Sequence, residues 1–357
     1  MRTAEVVREA WRDLATGAGA AVTCALVLAV LLAGVVGLRT ASTAEDVRAA
    51  ARFVTSGAAT QVFTADGRID GTACAALADD GSVLASGAVR RVEDGLVVAA
   101  LPGTSVPTYE VSGGFAAVVG VEGVVGGSGV VASAEVADTL GVEPGQRIEA
   151  AQGTVPVAGV YAWPDDGRDP DLAYAVLAPA IDDGTPFDAC WATIWPEDDT
   201  ALAGLRRTLL PSTGAEDDAR STLGQLNPRS GTTFTPTAPP PSGATEAVVL
   251  GIGLVVGIGA VIRRRLSTAS DRHVGVTIGA QALGIGIQHG AWASVGAALA
   301  VAASVVLVRG LPDADAWPIV VHAVVLCTLG FLGAVAGGVV GVTLVRERAL
   351  HRYFRTR

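Results

Sequence analysis

The chain has 357 residues, half of them apolar, with 45 glycines, 25 arginines, 35 acidic residues and a net charge of −10. Its mean hydropathy of +0.47 excludes a disordered chain and an ordinary soluble domain. Lysine is absent, which excludes a Walker A loop and Schiff-base chemistry, and the acidic balance argues against nucleic acid as a partner.

Residues 1–16 predict a cytoplasmic amphipathic helix. Val6, Val7, Ala10, Trp11 and Leu14 fall on one face of Ala4–Leu14, with Glu5, Arg8, Glu9, Arg12 and Asp13 on the other. Such a helix suits the membrane surface, with Trp11 at headgroup level. Residues 17–38 form a first span of 22 residues without a charge. A signal peptide's apolar region runs to only about 15 residues, so this span reads as a retained anchor. Thr43–Val54 continues it as a helical stalk.

Residues 39–227 predict a mixed α+β domain. Gln61–Thr64, Gly95–Leu101, Thr108–Val111, Val155–Trp163 and Ala173–Leu177 read as strands between Gly, Pro and Asp clusters. Ser133 opens a short helix that Gly141 ends, and Pro144-Gly145 turns the chain into Arg147–Ala150. A second helix spans about Thr200–Leu210. Gly120–Gly129 lacks a basic partner and reads as turns rather than a phosphate cradle. Residues 228–245, with Pro239-Pro240-Pro241, predict an extended tether. Then follow a second span at 246–262, a cytoplasmic segment at 263–282, a third span at 283–308, an outer loop at 309–316, a fourth span at 317–345 and a tail at 346–357. The expected architecture is therefore an α-helical membrane protein with four transmembrane helices and a large α+β extracytoplasmic domain between the first two.

Arginine sets the orientation. Three lie before the first span, Arg263, Arg264, Arg265 and Arg272 follow the second, and Arg346, Arg348, Arg352, Arg355 and Arg357 follow the fourth. Only Arg39 and Arg309 oppose them, so both termini are expected in the cytoplasm and the domain outside the cell membrane. Residues 39–246 hold 28 acidic and 12 basic residues. Cys74 and Cys190 lie in this exported stretch and form a disulfide candidate, two buried free thiols being the alternative. Cys24 and Cys327 lie in spans.

His273, His289, His322 and His351 all fall outside the domain, which removes a His-dependent hydrolase or a His-ligated zinc site there. The clusters Asp165-Asp166-Gly167-Arg168-Asp169-Pro170-Asp171, Asp182-Asp183 and Glu197-Asp198-Asp199 lack the order of a calcium loop and read as solvated turns. No catalytic residue, metal or cofactor is expected. Gly253/Gly257 and Gly337/Gly341 have small-xxx-small spacing, which permits close helix packing and would suit a dimer.

Two segments carry a family resemblance. Gly129–Ile148, GVVASAEVADTLGVEPGQRI, followed by Val155–Tyr161, resembles the periplasmic motif of FtsX-like/MacB-type ABC transporter permeases. Arg263–Gly296 is similar to that family's intracellular element. It has the basic start, Arg272-His273-Val274-Gly275, the Ile278-Gly279-Ala280 turn and Gly296 opening the third span. Position 288 is Gln where members commonly carry Glu.

The resemblance implies a non-catalytic permease subunit, paired with a second permease subunit as a homo- or heterodimer and driven by a separate cytoplasmic P-loop ATPase. Arg263, Arg264, Arg265, Arg272, Gly275, Gly279 and Gln288 would then form the ATPase-coupling segment, the arginines also anchoring on membrane lipid. The alternative from another class is a membrane-anchored receptor or adaptor with an acidic binding domain and no ATPase. A membrane enzyme is disfavoured by a domain without His or Lys.

Overall fold

The computed structural model describes residues 3–16, 20–99, 103–121, 129–151, 153–180, 183–211, 221–237, 241 and 243–346. Outside the described residues lie Leu101, most of Gly120–Gly129, Asp182, Pro239-Pro240 and the tail arginines Arg348, Arg352, Arg355 and Arg357. The chain forms two compact units, one of Met1–Ala49 with Pro236–Arg357 and one of Ala50–Thr235. Helix α1 is Thr3–Ala15, and α2 is Ala21–Thr55, one unbroken helix through the expected first span and stalk.

Among the described residues, the second unit is built on nine strands: β1 (Thr60–Ile69), β2 (Val83–Val97), β3 (Ser105–Val111), β4 (Val130–Ser133), β5 (Arg147–Ala150), β6 (Gly153–Tyr161), β7 (Val176–Pro179), β8 (Phe187–Ile194) and β9 (Thr222–Gln225). Their order is β5-β6-β4-β7-β3-β2-β8-β1-β9. Pairs β3–β7 and β4–β6 are parallel and the others antiparallel. Ala99 N and Ala151 N donate to the carbonyls of Glu149 and Val97, each at 2.8 Å, and bring β5 against the end of β2. Strands β2-β3-β7-β4-β6-β5 thereby close into a ring around Val106, Val130, Ala132, Val157 and Val176.

Short helices α3 (Gly71–Ala75), α4 (Phe115–Val118), α5 (Ala134–Leu140) and α6 (Asp199–Arg207) cover the sheet. In α5, Ser133 Oγ accepts from Val136 N at 3.3 Å, and left-handed Gly141 ends the helix. Strand β8 is buried on both sides. Trp191 and Ala189 pack on one face with Tyr109, Phe115 and Tyr161, while Cys190 and Ala192 pack on the other with Phe63 and Leu205. Cys190 is bonded to Cys74 of α3, with Cα atoms 5.8 Å apart and a sequence separation of 116.

Part of the segment expected as a tether belongs to this unit. Pro228–Ser230 is a 3₁₀ turn, and Phe234 stacks on Phe53 and Trp195 with ring centroids 5.9 and 5.2 Å away. An aromatic side chain with apolar partners gains more from burial than the Pro-rich composition costs in order. The segment expected as a strand at Ala173–Leu177 starts later, because Pro170–Leu172 forms a 3₁₀ turn that delays β7 to Val176.

In the other unit, α7 (Ala244–Arg263), α8 (Arg265–His273), α9 (Ile278–Leu307) and α10 (Asp313–Leu344) follow. Helices α2, α7, α9 and α10 are long and apolar enough to cross a membrane. At 30 residues α9 is about 45 Å long, well beyond a hydrocarbon core of about 30 Å. It begins at Ile278 because Thr277 Oγ1 caps Ala280 N at 3.3 Å. Gly253 and Gly257 of α7 face Gly330, Ala334 and Gly338 of α10, while Gly337 faces Leu254 and Gly341 faces Val261. A Cβ at Gly253, Gly257 or Gly337 would overlap a carbonyl oxygen of the opposite helix. The small-xxx-small pairs, read from sequence as suited to a dimer, bring two helices of the same chain into backbone contact. Gly296 lies against Ala25 O and Leu28 of α2, and Gly330 against the Leu32 side chain.

Candidate functional site

The segment between α7 and α9 is built by a break, a short helix and a turn. Helix α7 ends at Arg263, Arg264 departs from helical geometry, and α8 turns Thr268 and Ala269 inward. Its end is a Schellman motif: Gly275 N donates to Arg272 O at 2.9 Å and Val276 N to Asp271 O at 3.0 Å, with Gly275 at φ +95°.

Both ends of α8 are tied to neighbouring helices through arginine. At the first end, Arg264 Nη2 lies 2.7 Å from Asp13 Oδ2 of α1, and Nη1 donates to Gln288 Oε1 of α9 at 3.0 Å. Gln288 Nε2 completes the triangle by donating to the same Asp13 oxygen at 3.2 Å. At the other end, Arg272 Nε donates to Gln281 Oε1 at 2.8 Å, and Gln281 Nε2 donates to Thr268 O at 2.8 Å. The Arg272 guanidinium also donates to the carbonyls of Val342 and Val345, two acceptors left open where α10 ends. Helix α1 adds its apolar face, with Val6 and Ala10 buried and Val6 Cγ1 against Gly284 of α9. Hydrogen bonds to charged groups contribute about 1.5–3 kcal/mol when shielded from water. Two such clusters bond α8 to α1, α9 and α10.

A cavity of about 200 Å³ lies between α1, α8 and α9, with Glu9, Asp13, Arg264 and Asp271 on its walls. Burial pushes the Asp271 carboxyl above the ordinary aspartate value. Nearby Arg264 opposes that rise, and Glu9 and Asp13 reinforce it.

The outward side differs in character. Val274 is 78% exposed and Ile278 51%, flanking exposed Gly275 and Gly279. The tip of the segment is thus apolar and uncovered. Of the residues singled out from sequence, Arg264, Arg272 and Gln288 point into the helix cluster, Arg263 is exposed and Arg265 is half-buried. Gly275 makes the turn, and nothing lies within 4 Å of a Cβ built on Gly279. Sequence reading missed Asp13 and Gln281 as partners, because they lie 251 and 9 residues from the arginines they bind. The apolar tip did leave a signal, since Val274, Val276 and Ile278 follow the largely polar run Ser267–His273.

Several acidic residues of the sheet unit act as turn caps. Asp169 accepts from Asp171 N at 3.0 Å, Asp183 from Thr185 N at 2.9 Å and Asp198 from Thr200 N at 2.7 Å. Asp166 instead holds Arg168 through two hydrogen bonds of 2.9 and 2.8 Å. Those bonds keep its carboxyl below the ordinary range against a smaller effect of burial.

No protein-family model matches the sequence, and no curated protein matches it. Among solved structures, the periplasmic region of MacB from Actinobacillus actinomycetemcomitans is similar over 50% of this chain and 94% of that one. The identity is 13% and the TM-score 0.34, a likeness too distant to carry an argument about this chain.

Proposed function

We propose that the chain is the membrane subunit of an ABC transporter of the FtsX/MacB type. In this reading both termini and α8 lie in the cytoplasm, and the sheet unit lies outside the cell membrane. The observation that supports it best is the construction of α8. A short helix between two candidate spans is tied by Arg264 to α1 and α9 and by Arg272 to α9 and α10, and it presents an uncovered apolar tip at Val274–Ile278. A separate ATPase gripping that tip would move three helices together. The chain itself is non-catalytic, works beside a second permease subunit, and draws its energy from ATP hydrolysis on the partner.

The test is purification of the tagged chain from its native membrane in mild detergent, with mass spectrometry of its partners. A stoichiometric P-loop ATPase is expected, and Val274→Asp or Ile278→Asp should release it without lowering the thermal stability of the purified chain. Purification without an ATPase, under conditions that preserve the permease pair, would refute the proposal and favour a receptor or adaptor.

A further inference from the structure

A second cavity, of about 250 Å³, opens on one face of the sheet unit and has no part in the reading above. Its floor is Tyr109 of β3 and Trp191 of β8, each 9% exposed, and its wall is Leu172 with the carboxylates of Asp169 and Asp171. Arg91 stands across from Tyr109 in the β2–β3 register.

The wall is held in place by its own bonds. Trp163 Nε1 donates to Asp169 O at 2.8 Å, and buried Tyr161 donates its hydroxyl to Leu172 O at 2.7 Å. The Arg168 guanidinium lies 5.0 Å over the Trp163 ring. This loop is therefore set before any ligand arrives, which reduces the ordering cost of binding.

The charges that face the cavity do not cancel. Arg90 is paired with Glu110, and the Asp188 carboxylate is occupied by the backbone N–H groups of Gly67 and Arg91 at 3.0 and 3.1 Å. Those backbone hydrogen bonds leave Asp188 charged, so Asp169, Asp171 and Asp188 stand against Arg91, an excess of two negative charges. The phenol of Tyr109 registers the imbalance. Burial raises its pKa, Asp171 and Asp169 raise it further, and Arg91 opposes them.

An aromatic floor with a carboxylate rim suits one chemistry: a cation carried on an apolar body. We propose that this cavity binds a small organic ammonium compound, its charge toward Asp169 and Asp171 and its apolar part over Tyr109 and Trp191. The site stands whether or not the chain partners an ATPase.

The experiment uses the full chain in lipid nanodiscs and follows tryptophan fluorescence on titration with benzyltrimethylammonium chloride, benzyl alcohol serving as the uncharged comparator. Saturable quenching is expected for the ammonium compound alone. Asp169→Asn with Asp171→Asn should weaken it at least about fivefold, while Asp165→Asn, outside the cavity, leaves it unchanged. Both substituted side chains are exposed, so folding is not at stake, and the circular dichroism spectrum checks this. Arg91→Ala should tighten binding by removing the opposing charge. Equal quenching by benzyl alcohol, or unchanged affinity in the double Asn variant, would overturn the proposal. Weaker binding in Arg91→Ala would also overturn it, in favour of a zwitterionic ligand whose carboxylate uses Arg91.

Discussion

Gly257 and Gly259 stand two residues apart on α7 and face opposite surroundings, so Gly257→Ala and Gly259→Ala separate helix propensity from packing. A Cβ at 257 would lie 2.9 Å from Gly338 N and 3.0 Å from the carbonyl carbon of Ala334, and would overlap its oxygen. Ordinary carbon contacts sit at about 3.5–4.0 Å. The colliding atoms are backbone, which cannot rotate away, so α7 and α10 must separate by roughly 1 Å along a close-packed seam. Overpacking of that kind costs about 1–3 kcal/mol. Alanine's helix propensity returns up to about 1 kcal/mol. Gly257→Ala should therefore lose about 1–2 kcal/mol, whereas Gly259→Ala, with nothing within 4 Å of its Cβ, should be neutral or slightly stabilising. The assay is reversible unfolding in mixed detergent micelles with increasing SDS, read by circular dichroism at equal protein concentration. Equal midpoints for the two variants would refute the packing argument. A loss for Gly257→Ala that vanishes on dilution would place the seam between two chains instead of within one.

Three further outcomes follow from other parts of the molecule. Removing the disulfide with Cys74→Ala and Cys190→Ala frees a 116-residue separation, and the chain-entropy model puts the loss near 4–5 kcal/mol; urea unfolding of the sheet unit followed by its tryptophans should show a large drop in midpoint that tracks addition of reductant in the wild type. Asp166 has a folded-state pKa below its unfolded value, so the stabilisation from its bonds to Arg168 is complete above about pH 4 and disappears as pH falls through the folded value; Asp166→Asn should flatten that acid-side slope in thermal melts, and an unchanged slope would assign it to other carboxylates. For the α1 tie, Arg264→Ala and Asp13→Ala should each weaken α1 docking, and a double-mutant cycle should return a coupling of about 1 kcal/mol for this partly exposed pair, measured by protease cleavage rates within α1.

What could be read along the chain is what depends on neighbours in sequence. The four apolar stretches stood out because lipid solubility is a local property of about 20 residues. The α5 caps Ser133 and Gly141 were legible for a similar reason, since a cap bonds groups two or three positions away. Strand β8 left no readable signal. FDACWATI is buried on both faces, so it lacks the alternation that marks a half-exposed strand, although it carries Cys190 and Trp191 between β2 and β1.

The tertiary structure decided where the charges and glycines point. From sequence, Arg264 and Arg272 were candidates for docking a partner; in the folded chain they bind Asp13, Gln288, Gln281 and the carbonyls ending α10, leaving the apolar tip at Val274 and Ile278 outward. The glycine pairs were visible as spacing, but spacing cannot say which helix fills the gap. Composition marks which segments are apolar enough to leave water, because transfer free energy adds residue by residue. Ion pairs and backbone contacts between residues up to 251 positions apart depend on distances that exist only after the chain has folded.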